Sequence, residues 1–308
     1  MSQLHTFFAV VSAIVLFVYG LQGFSRELRA VGGEALQSWL SRVTGNRWAG
    51  FGVGAVATAV LQSSSAVTSL TASLVDAGVI SFRASLGVLL GANVGTTATA
   101  WLVSFKLTGI GPFFIVLGTL MSVLPARVRV AGQSVFYFGL IFFALDLISA
   151  TLKPLQNEPV FLSALALASV PLLGVLAGLL LTAVIQSSSV TTGLAILLVQ
   201  QGTLPAEAAV PIVIGANVGS TSTALIASLG MGATARSTAQ ANFLFNLLGM
   251  LAFFPFLPLF AETVVRQAGD PGMAVAWAHL VFNLTLAFVC LTGFNVIEPR
   301  LRRWLAPR

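Results

Sequence analysis

The chain has 308 residues, of which 57% are hydrophobic and only 8% are charged, and its mean hydropathy is +0.96. Soluble domains of this length are far less apolar, so the composition excludes them and indicates a multi-pass membrane protein. The net charge of +6 is a weak sign of nucleic-acid binding, because basic residues of such proteins gather in cytoplasmic loops. We therefore expect no nucleic-acid partner. The single cysteine, Cys290, excludes an internal disulfide.

Seven apolar stretches predict spans of the cytoplasmic membrane. In chain order they are Phe7–Phe24, Ala84–Phe105, Gly109–Leu124, Ala131–Leu152, Ala208–Leu229, Ala241–Phe260 and Met273–Ile297. The first stretch has no basic start and no Ala-x-Ala cleavage site, so we predict a retained span rather than a signal peptide. The segment Arg26–Arg47 mixes basic and tryptophan residues with apolar ones, which predicts an interfacial amphipathic helix.

A four-residue phrase occurs twice, as Gln62–Ser65 and as Gln186–Ser189, and each copy is followed by Gly-Ala-Asn-Val-Gly. The glycine-rich copies are Gly91–Gly95 and Gly215–Gly219, so both motifs recur at an offset of 124 residues (186 − 62 and 215 − 91). This register indicates an internal duplication within one transmembrane domain. The predicted parts of residues 1–308 are repeat one, about 5–125; repeat two, about 130–260; and an additional C-terminal span, about 273–297.

The surroundings of each phrase predict a re-entrant helical hairpin, at Ala49–Gly78 and at about Leu172–Gly202. Each arm holds about 13 residues, roughly 20 Å of helix, whereas the hydrocarbon core is about 30 Å thick. Neither arm can cross, so we expect the serines at the hairpin tips, at membrane depth. The glycines of Gly91–Gly95 and Gly215–Gly219 predict that the spans containing them are discontinuous helices.

The basic residues predict the orientation of the chain. Three predicted spans separate the two phrases, an odd number, so the repeats are expected to be inverted. With Arg26–Arg47 in the cytoplasm, twelve basic residues fall inside and three outside, which places the N-terminus outside and the C-terminus inside. The inner set is Arg26, Arg29, Arg42, Arg47, Arg83, Arg127, Arg129, Arg236, Arg300, Arg302, Arg303 and Arg308, and the outer set is Lys106, Lys153 and Arg266.

Inverted hairpins would bring both serine phrases to the middle of the bilayer from opposite faces. Helix N-termini and serine hydroxyls suit an anion, whereas asparagine, glutamine, hydroxyl and freed carbonyl oxygens suit Na⁺. The motifs contain no lysine or arginine, so we expect co-bound Na⁺ rather than a fixed cation to neutralise an oxyanion. Close helix packing is the alternative interpretation of small hydroxyl residues, and the duplication at equal spacing disfavours it.

Proton coupling is the weaker alternative, because it relies on intramembrane Asp, Glu or His. The predicted spans and hairpins offer Asp76, Asp146 and His279. We expect Asp76 near the end of the first hairpin, Asp146 in a functional or packing role, and His279 in a hydrogen bond between helices.

The paired motifs resemble those of the type II sodium–phosphate cotransporter family, over about residues 5–297. Two further phrases, Ala239–Asn246 and Ala276–Asn283, share the pattern Ala-x-Ala-[His/Asn]-x-x-Phe-Asn and add to the resemblance. The resemblance implies an all-α membrane protein with two inverted repeats, Na⁺-driven uptake of inorganic phosphate and an elevator-like movement.

The motifs and the resemblance together predict the binding residues, none of them catalytic. Phosphate is assigned to Ser63, Ser64, Ser65, Ser187, Ser188 and Ser189, and Na⁺ to Gln62, Thr68, Asn93, Thr97, Gln186, Thr192, Asn217, Ser220 and Thr221. We expect no cofactor besides Na⁺ as the coupling ion, and as partners phosphate, Na⁺ and the lipid bilayer. A homodimer is an open alternative for the oligomeric state. Two rival functions stay open: transport of another oxyanion or a carboxylate, and a non-transporting regulator of phosphate signalling.

Overall fold

The computed structural model describes residues 3–42, 46–107 and 109–305, and the regular structure in these ranges is entirely helical. This confirms the predicted all-α class. Fifteen α-helices follow one another in the described ranges: α1 Gln3–Ser41, α2 Arg47–Leu61, α3 Ser64–Asp76, α4 Phe82–Gly95, α5 Thr97–Ser104, α6 Gly111–Ser122, α7 Ala126–Leu152, α8 Pro159–Ala168, α9 Pro171–Ile185, α10 Ser188–Gln200, α11 Ala206–Ser228, α12 Ala233–Phe253, α13 Leu257–Ala268, α14 Pro271–Thr292 and α15 Phe294–Leu305.

Six helical segments of the described ranges are long and apolar enough to cross a membrane, and each coincides with a predicted span. They are Leu4–Ser41, Phe82–Ser104, Ala131–Gln156, Ala206–Ser228, Ala233–Ala268 and Pro271–Thr292. The predicted span Gly109–Leu124 instead forms the 12-residue helix α6, roughly 18 Å long, which is shorter than the hydrocarbon core. Helices α8 and α9 form a further apolar pair bent by 104° at its junction, which is a broken span or a re-entrant segment.

Helix α1 is one unbroken helix of 39 residues. This corrects the predicted division between a span at Phe7–Phe24 and a separate interfacial helix at Arg26–Arg47. The arginine, glutamate, leucine and alanine residues after Phe24 are strong helix formers, so a change from apolar to charged residues does not end the helix. The second half of α1 buries Leu36 and Leu40 in a core that it shares with α2 and α3. Residues 43–45 of the predicted interfacial helix, and Arg308 of the charge pattern, lie outside the described residues.

The predicted break is wrong at the second glycine-rich motif, because α11 runs without interruption through Gly215–Gly219. At the first motif α4 ends at Gly95 and α5 begins at Thr97, but the residue between them, Thr96, keeps a helical φ of −58° and ψ of −27°. The glycines serve close helix packing instead. A Cβ atom at Gly91 would collide with the carbonyl oxygen of Phe51 in α2, and one at Gly215 with that of Val175 in α9. Helices α2 and α9 therefore lie directly against α4 and α11.

Each serine phrase joins two helices that pack on the same third helix. Helices α2 and α3 both contact α4, and α9 and α10 both contact α11. The arms have 15 and 13 residues in both halves, or roughly 20 Å of helix each. Gly78 and Gly202 follow the second arms with the same φ of +70°, so the two units also end alike.

The largest hydrophobic core holds α1 beside the second serine unit. Phe17 of α1, Ile141 of α7 and Ile196 of α10 are fully buried in it. The ring of Phe17 lies over Gly193, where a Cβ atom would meet it. Because this contact lies within α10, it fixes the first helix of the chain close to the second phrase.

Candidate functional site: a serine-lined cavity

The two serine phrases turn the chain in the same way. Gln62 ends α2 with φ 53° and ψ 30°, and Gln186 ends α9 with φ 60° and ψ 27°. This left-handed conformation is uncommon for residues other than glycine. Ser63 and Ser187 then cap α3 and α10, and each hydroxyl oxygen accepts a hydrogen bond from the backbone N–H three residues further on.

The first turns of α3 and α10 carry the other four serines of the phrases. The leading N–H groups of a helix have no acceptor within the helix, and the N-terminus carries about half a positive charge. Each phrase therefore offers hydroxyl groups together with free backbone donors. An anion is favoured at such a helix end.

Both phrases line one cavity of about 430 Å³. The six serines and both glutamines contribute to its wall, so the predicted convergence of the two phrases agrees with the geometry. The lining residues are Leu21, Gln22, Ser25, Arg29, Gln62, Ser63, Ser64, Ser65, Ala66, Ser69, Thr96, Gln186, Ser187, Ser188, Ser189, Ser220 and Thr223.

Thr99 of α5 connects the phrases directly. Its hydroxyl donates to Gln62 Oε1 at 2.7 Å and lies 3.2 Å from Ser189 Oγ. In the second half, the Thr223 hydroxyl donates to Gln186 Oε1 at 2.6 Å. The sequence reasoning missed both threonines, although they recur at the same offset of 124 residues as the motifs and could have been found by extending the comparison of the repeats.

Three of the residues predicted to bind Na⁺ line the cavity, namely Gln62, Gln186 and Ser220. The others are buried and do not line the cavity: Thr68, Asn93, Thr97, Thr192, Asn217 and Thr221. The Thr97 hydroxyl donates to the carbonyl oxygen of Val94 in α4, and the Thr221 hydroxyl donates to that of Val218 within α11. The Thr192 hydroxyl is buried and has no partner among the described residues. The assignment of these residues to Na⁺ stays a prediction.

The two motif asparagines belong to buried polar contacts between helices. Asn93 Nδ2 donates to Asn242 Oδ1 of α12 at 3.3 Å, and Asn217 Oδ1 lies 2.9 Å from His279 Nε2 of α14. Asn242 and His279 occupy the same position in the two Ala-x-Ala phrases. Each Ala-x-Ala phrase thus connects its own helix to a helix with a glycine-rich motif, α12 to α4 and α14 to α11. The predicted interhelical hydrogen bond of His279 is confirmed.

The acidic groups considered for proton coupling do not line the cavity. Asp76 is exposed at the end of α3, as expected. Asp146 Oδ2 accepts a hydrogen bond from the backbone N–H of Gly109 at 2.9 Å, and so holds the connection before α6.

Helix α1 forms a third wall of the cavity, which the sequence reasoning missed. It contributes Leu21, Gln22, Ser25 and Arg29, and Arg29 is the charged residue of the lining. The motifs themselves contain no lysine or arginine, but the wall of the cavity that the serine phrases line includes this arginine. Arg29 precedes the first phrase by 33 residues (62 − 29) and lies outside the repeated motifs, so their spacing could not reveal it.

The sequence profile of the family described as Na+/Pi-cotransporter matches residues 16–150 and 157–294. The chain is 30% identical over 297 residues to the "Uncharacterized protein YqeW" of Bacillus subtilis, which covers 96% of each chain. It is also 30% identical over 300 residues to the "Putative inorganic phosphate export protein YjbB" of Escherichia coli, and this match spans 96% of the chain and 55% of that protein.

A further similarity covers less of the chain. The "Sodium-dependent phosphate transport protein 2B" of Homo sapiens is 32% identical over 154 residues, 44% of this chain and 22% of that protein. No solved structure matches the chain. The profile match over most of the chain and the full-length bacterial similarity show that the protein belongs to the Na+/Pi-cotransporter family, whose members are membrane transporters and not enzymes.

Proposed function

We propose that the protein carries inorganic phosphate across the cytoplasmic membrane together with Na⁺, and that phosphate binds between the two serine phrases. The observation that carries this proposal is the single cavity lined by all six phrase serines, with the hydroxyl of Thr99 between Gln62 and Ser189. Two helix N-termini and six hydroxyls around one space provide many hydrogen-bond donors for a tetrahedral oxyanion.

The size of the cavity supports an anion bound together with ions or water. A water molecule occupies roughly 30 Å³ of liquid, so a space of about 430 Å³ is several times larger than a small oxyanion needs. Na⁺ would use the neutral oxygens nearest the anion, from Gln62, Gln186 and Ser220. The unpartnered buried hydroxyl of Thr192 favours a further Na⁺ position behind the second phrase.

For the architecture we propose two inverted repeats whose serine units are re-entrant hairpins, with alternating access of the elevator type. The support is the identical left-handed glutamine, serine cap and following glycine in both units, with arms too short to cross the hydrocarbon core. Inversion requires three crossings between the phrases, so α6 has to provide one of them despite its 12 residues. The N-terminus would then lie outside and the C-terminus inside, as the arginine distribution favours.

Export of phosphate is a second candidate for the physiological direction. The bacterial relatives named YjbB are described as phosphate export proteins, and the chain spans 55% of the Escherichia coli protein. A carrier runs down the sum of its gradients, so uptake follows from coupling to inward Na⁺ and export follows from uncoupled movement of phosphate.

The test uses purified protein in liposomes and radiolabelled inorganic phosphate. Uptake should require an inward Na⁺ gradient and disappear when K⁺ replaces Na⁺. The double variant Ser64→Ala/Ser188→Ala should abolish uptake, whereas Ser73→Ala should not, because the exposed Ser73 hydroxyl only donates to Ser69 of its own helix. Normal uptake by the double variant would refute the site.

Two further measurements separate the alternatives. Efflux from preloaded liposomes at an unchanged rate without Na⁺ would favour export over Na⁺-coupled uptake. Stronger competition by sulfate or a carboxylate than by unlabelled phosphate would show that another anion is the substrate.

A further inference from the structure

Much of the cavity wall comes from matching residues of the two halves of the chain, and α1 adds a further side. The two halves of the chain contribute matching residues, since both Gln-Ser-Ser-Ser phrases line it and Thr96 has its counterpart in Ser220. Gln22, Ser25 and Arg29 come from α1, and the residues 124 positions further along the chain, Asp146, Ser149 and Lys153, do not line the cavity. Positions separated by three and four residues lie on one face of a helix, so the three α1 side chains form one stripe. The stripe is called the α1 wall below.

Ser25 indicates that the α1 wall faces a ligand. Its side chain is 3% exposed and lines the cavity, yet its hydroxyl has no hydrogen-bond partner among the described residues. Buried polar groups in native proteins are nearly always satisfied, and each exception calls for an explanation. The Ser25 hydroxyl could donate a hydrogen bond to an anion in the cavity.

Arg29 supplies the charge. Its Nε donates to the carbonyl oxygen of Ser25 at 3.3 Å, and among the described residues it forms no ion pair. The neighbouring Arg26 differs, because it contacts Glu27 and donates to the Tyr137 hydroxyl at 2.8 Å. The fork of a guanidinium group matches two oxygens of a phosphate or carboxylate.

We propose that Arg29 binds the phosphate directly in the cavity, with the Ser25 hydroxyl as a second donor, and that this α1 wall gives the site its preference for a doubly charged oxyanion. The inference rests on the proposed function, because it takes phosphate as the occupant of the serine-lined cavity. It replaces the expectation that Na⁺ alone compensates the charge of the anion. The serine phrases then supply neutral donors, and α1 supplies a fixed cation.

The experiment measures binding of labelled inorganic phosphate to purified protein in detergent, at fixed Na⁺. Arg29→Gln should raise the dissociation constant roughly ten- to hundredfold, as expected for loss of a charged hydrogen-bonding partner. Arg29→Lys keeps the positive charge but loses the guanidinium fork, so its dissociation constant should lie between those of wild type and Arg29→Gln. Arg26→Gln is the matched control on the same helix and should bind like wild type.

Two readouts separate a ligand contact from a structural role. Wild-type affinity should rise as the pH increases through the second ionisation of phosphate, and the Arg29→Gln variant should lose most of this rise. Ser25→Ala should raise the melting temperature of the phosphate-free protein, since it removes an unsatisfied buried hydroxyl, and should reduce the further rise caused by phosphate.

The outcomes distinguish this inference from the proposed function. Phosphate binding to wild type with unchanged affinity in Arg29→Gln and Arg29→Lys would overturn the role of Arg29 and leave the serine site standing. Absence of phosphate binding to wild type would overturn both. If Arg29→Gln does not fold, wild-type affinity and pH dependence in Arg29→Lys would overturn the role of the guanidinium fork.

Discussion

The left-handed glutamines at the ends of α2 and α9 allow the backbone and side-chain roles of one residue to be separated. Gln62 has φ 53°, and its side-chain oxygen accepts a hydrogen bond of 2.7 Å from Thr99. Replacement by alanine removes that bond, which costs about 1 kcal/mol, and keeps the strained backbone. Replacement by glycine removes the same bond and relieves about 1 kcal/mol of left-handed strain.

We therefore expect Gln62→Gly to be close to wild type in stability and Gln62→Ala to be less stable by about 1 kcal/mol. In a chain of this size the difference amounts to about 2 to 4 °C in melting temperature, measured by thermal unfolding in detergent. Both variants should lose phosphate transport in liposomes, because the link from Gln62 through Thr99 to Ser189 is gone. Transport and stability thus respond differently to the same pair of substitutions.

Gln156 provides the matched control. Its amide group donates to Gln201 and Thr203 away from the cavity, in a 3₁₀ turn with an ordinary backbone. There glycine should be less stable than alanine, and both variants should transport phosphate. Equal stability of Gln62→Gly and Gln62→Ala would refute the strained backbone, and wild-type transport by the glycine variant would refute the functional role of the side chain.

Three further substitutions probe the packing and the outer contacts. Gly215→Ala should destabilise the protein by about 1 to 3 kcal/mol in thermal unfolding because its Cβ meets backbone, whereas Gly33→Ala, which meets nothing within 4 Å, should not; equal effects would exclude the close approach of α9 and α11. His279→Phe should cost about 1 to 3 kcal/mol by leaving its buried amide partner unpaired, and an unchanged melting temperature would contradict that hydrogen bond. The Lys106 ammonium, 2.8 Å from Asp270, lowers the pKa of that carboxyl, so its stabilising effect is present at neutral pH and is lost only as the pH falls through the lowered value. The melting temperature of Asp270→Asn should therefore lie below that of wild type by a constant amount between about pH 5 and 8 and converge with it in stronger acid; a difference that grew with acidity would contradict this sign.

The sequence predicted most of the membrane-spanning helices and the meeting of the serine phrases, each from a different pattern. Apolar length defines a span, and the offset of 124 residues relates two units of the same local structure. The glycine motifs misled the prediction since glycine permits both a broken helix and a close approach between helices. Only the carbonyl groups of Phe51 and Val175, which lie over Gly91 and Gly215, decide between these two uses.

The α1 wall could not be predicted from the motifs. Arg29 and Ser25 reach the cavity through tertiary packing of α1 on α7 and α10, which no repeated spacing encodes. Asn93 and Asn217 show the opposite case, because their recurrence was correctly seen, while their partners Asn242 and His279 required the structure.

The continuity of α1 has a mechanical consequence. A helix of 39 residues is roughly 58 Å long, about twice the thickness of the hydrocarbon core. The same continuous helix therefore carries Phe8 near its N-terminus and Arg29 at the cavity. A stiff rod transmits displacement from end to end. Any rearrangement that moves Arg29 toward or away from the serines must tilt or slide the exposed N-terminal end of α1 as well, so a spectroscopic label near Phe8 would report on events at the cavity from roughly 30 Å along the helix.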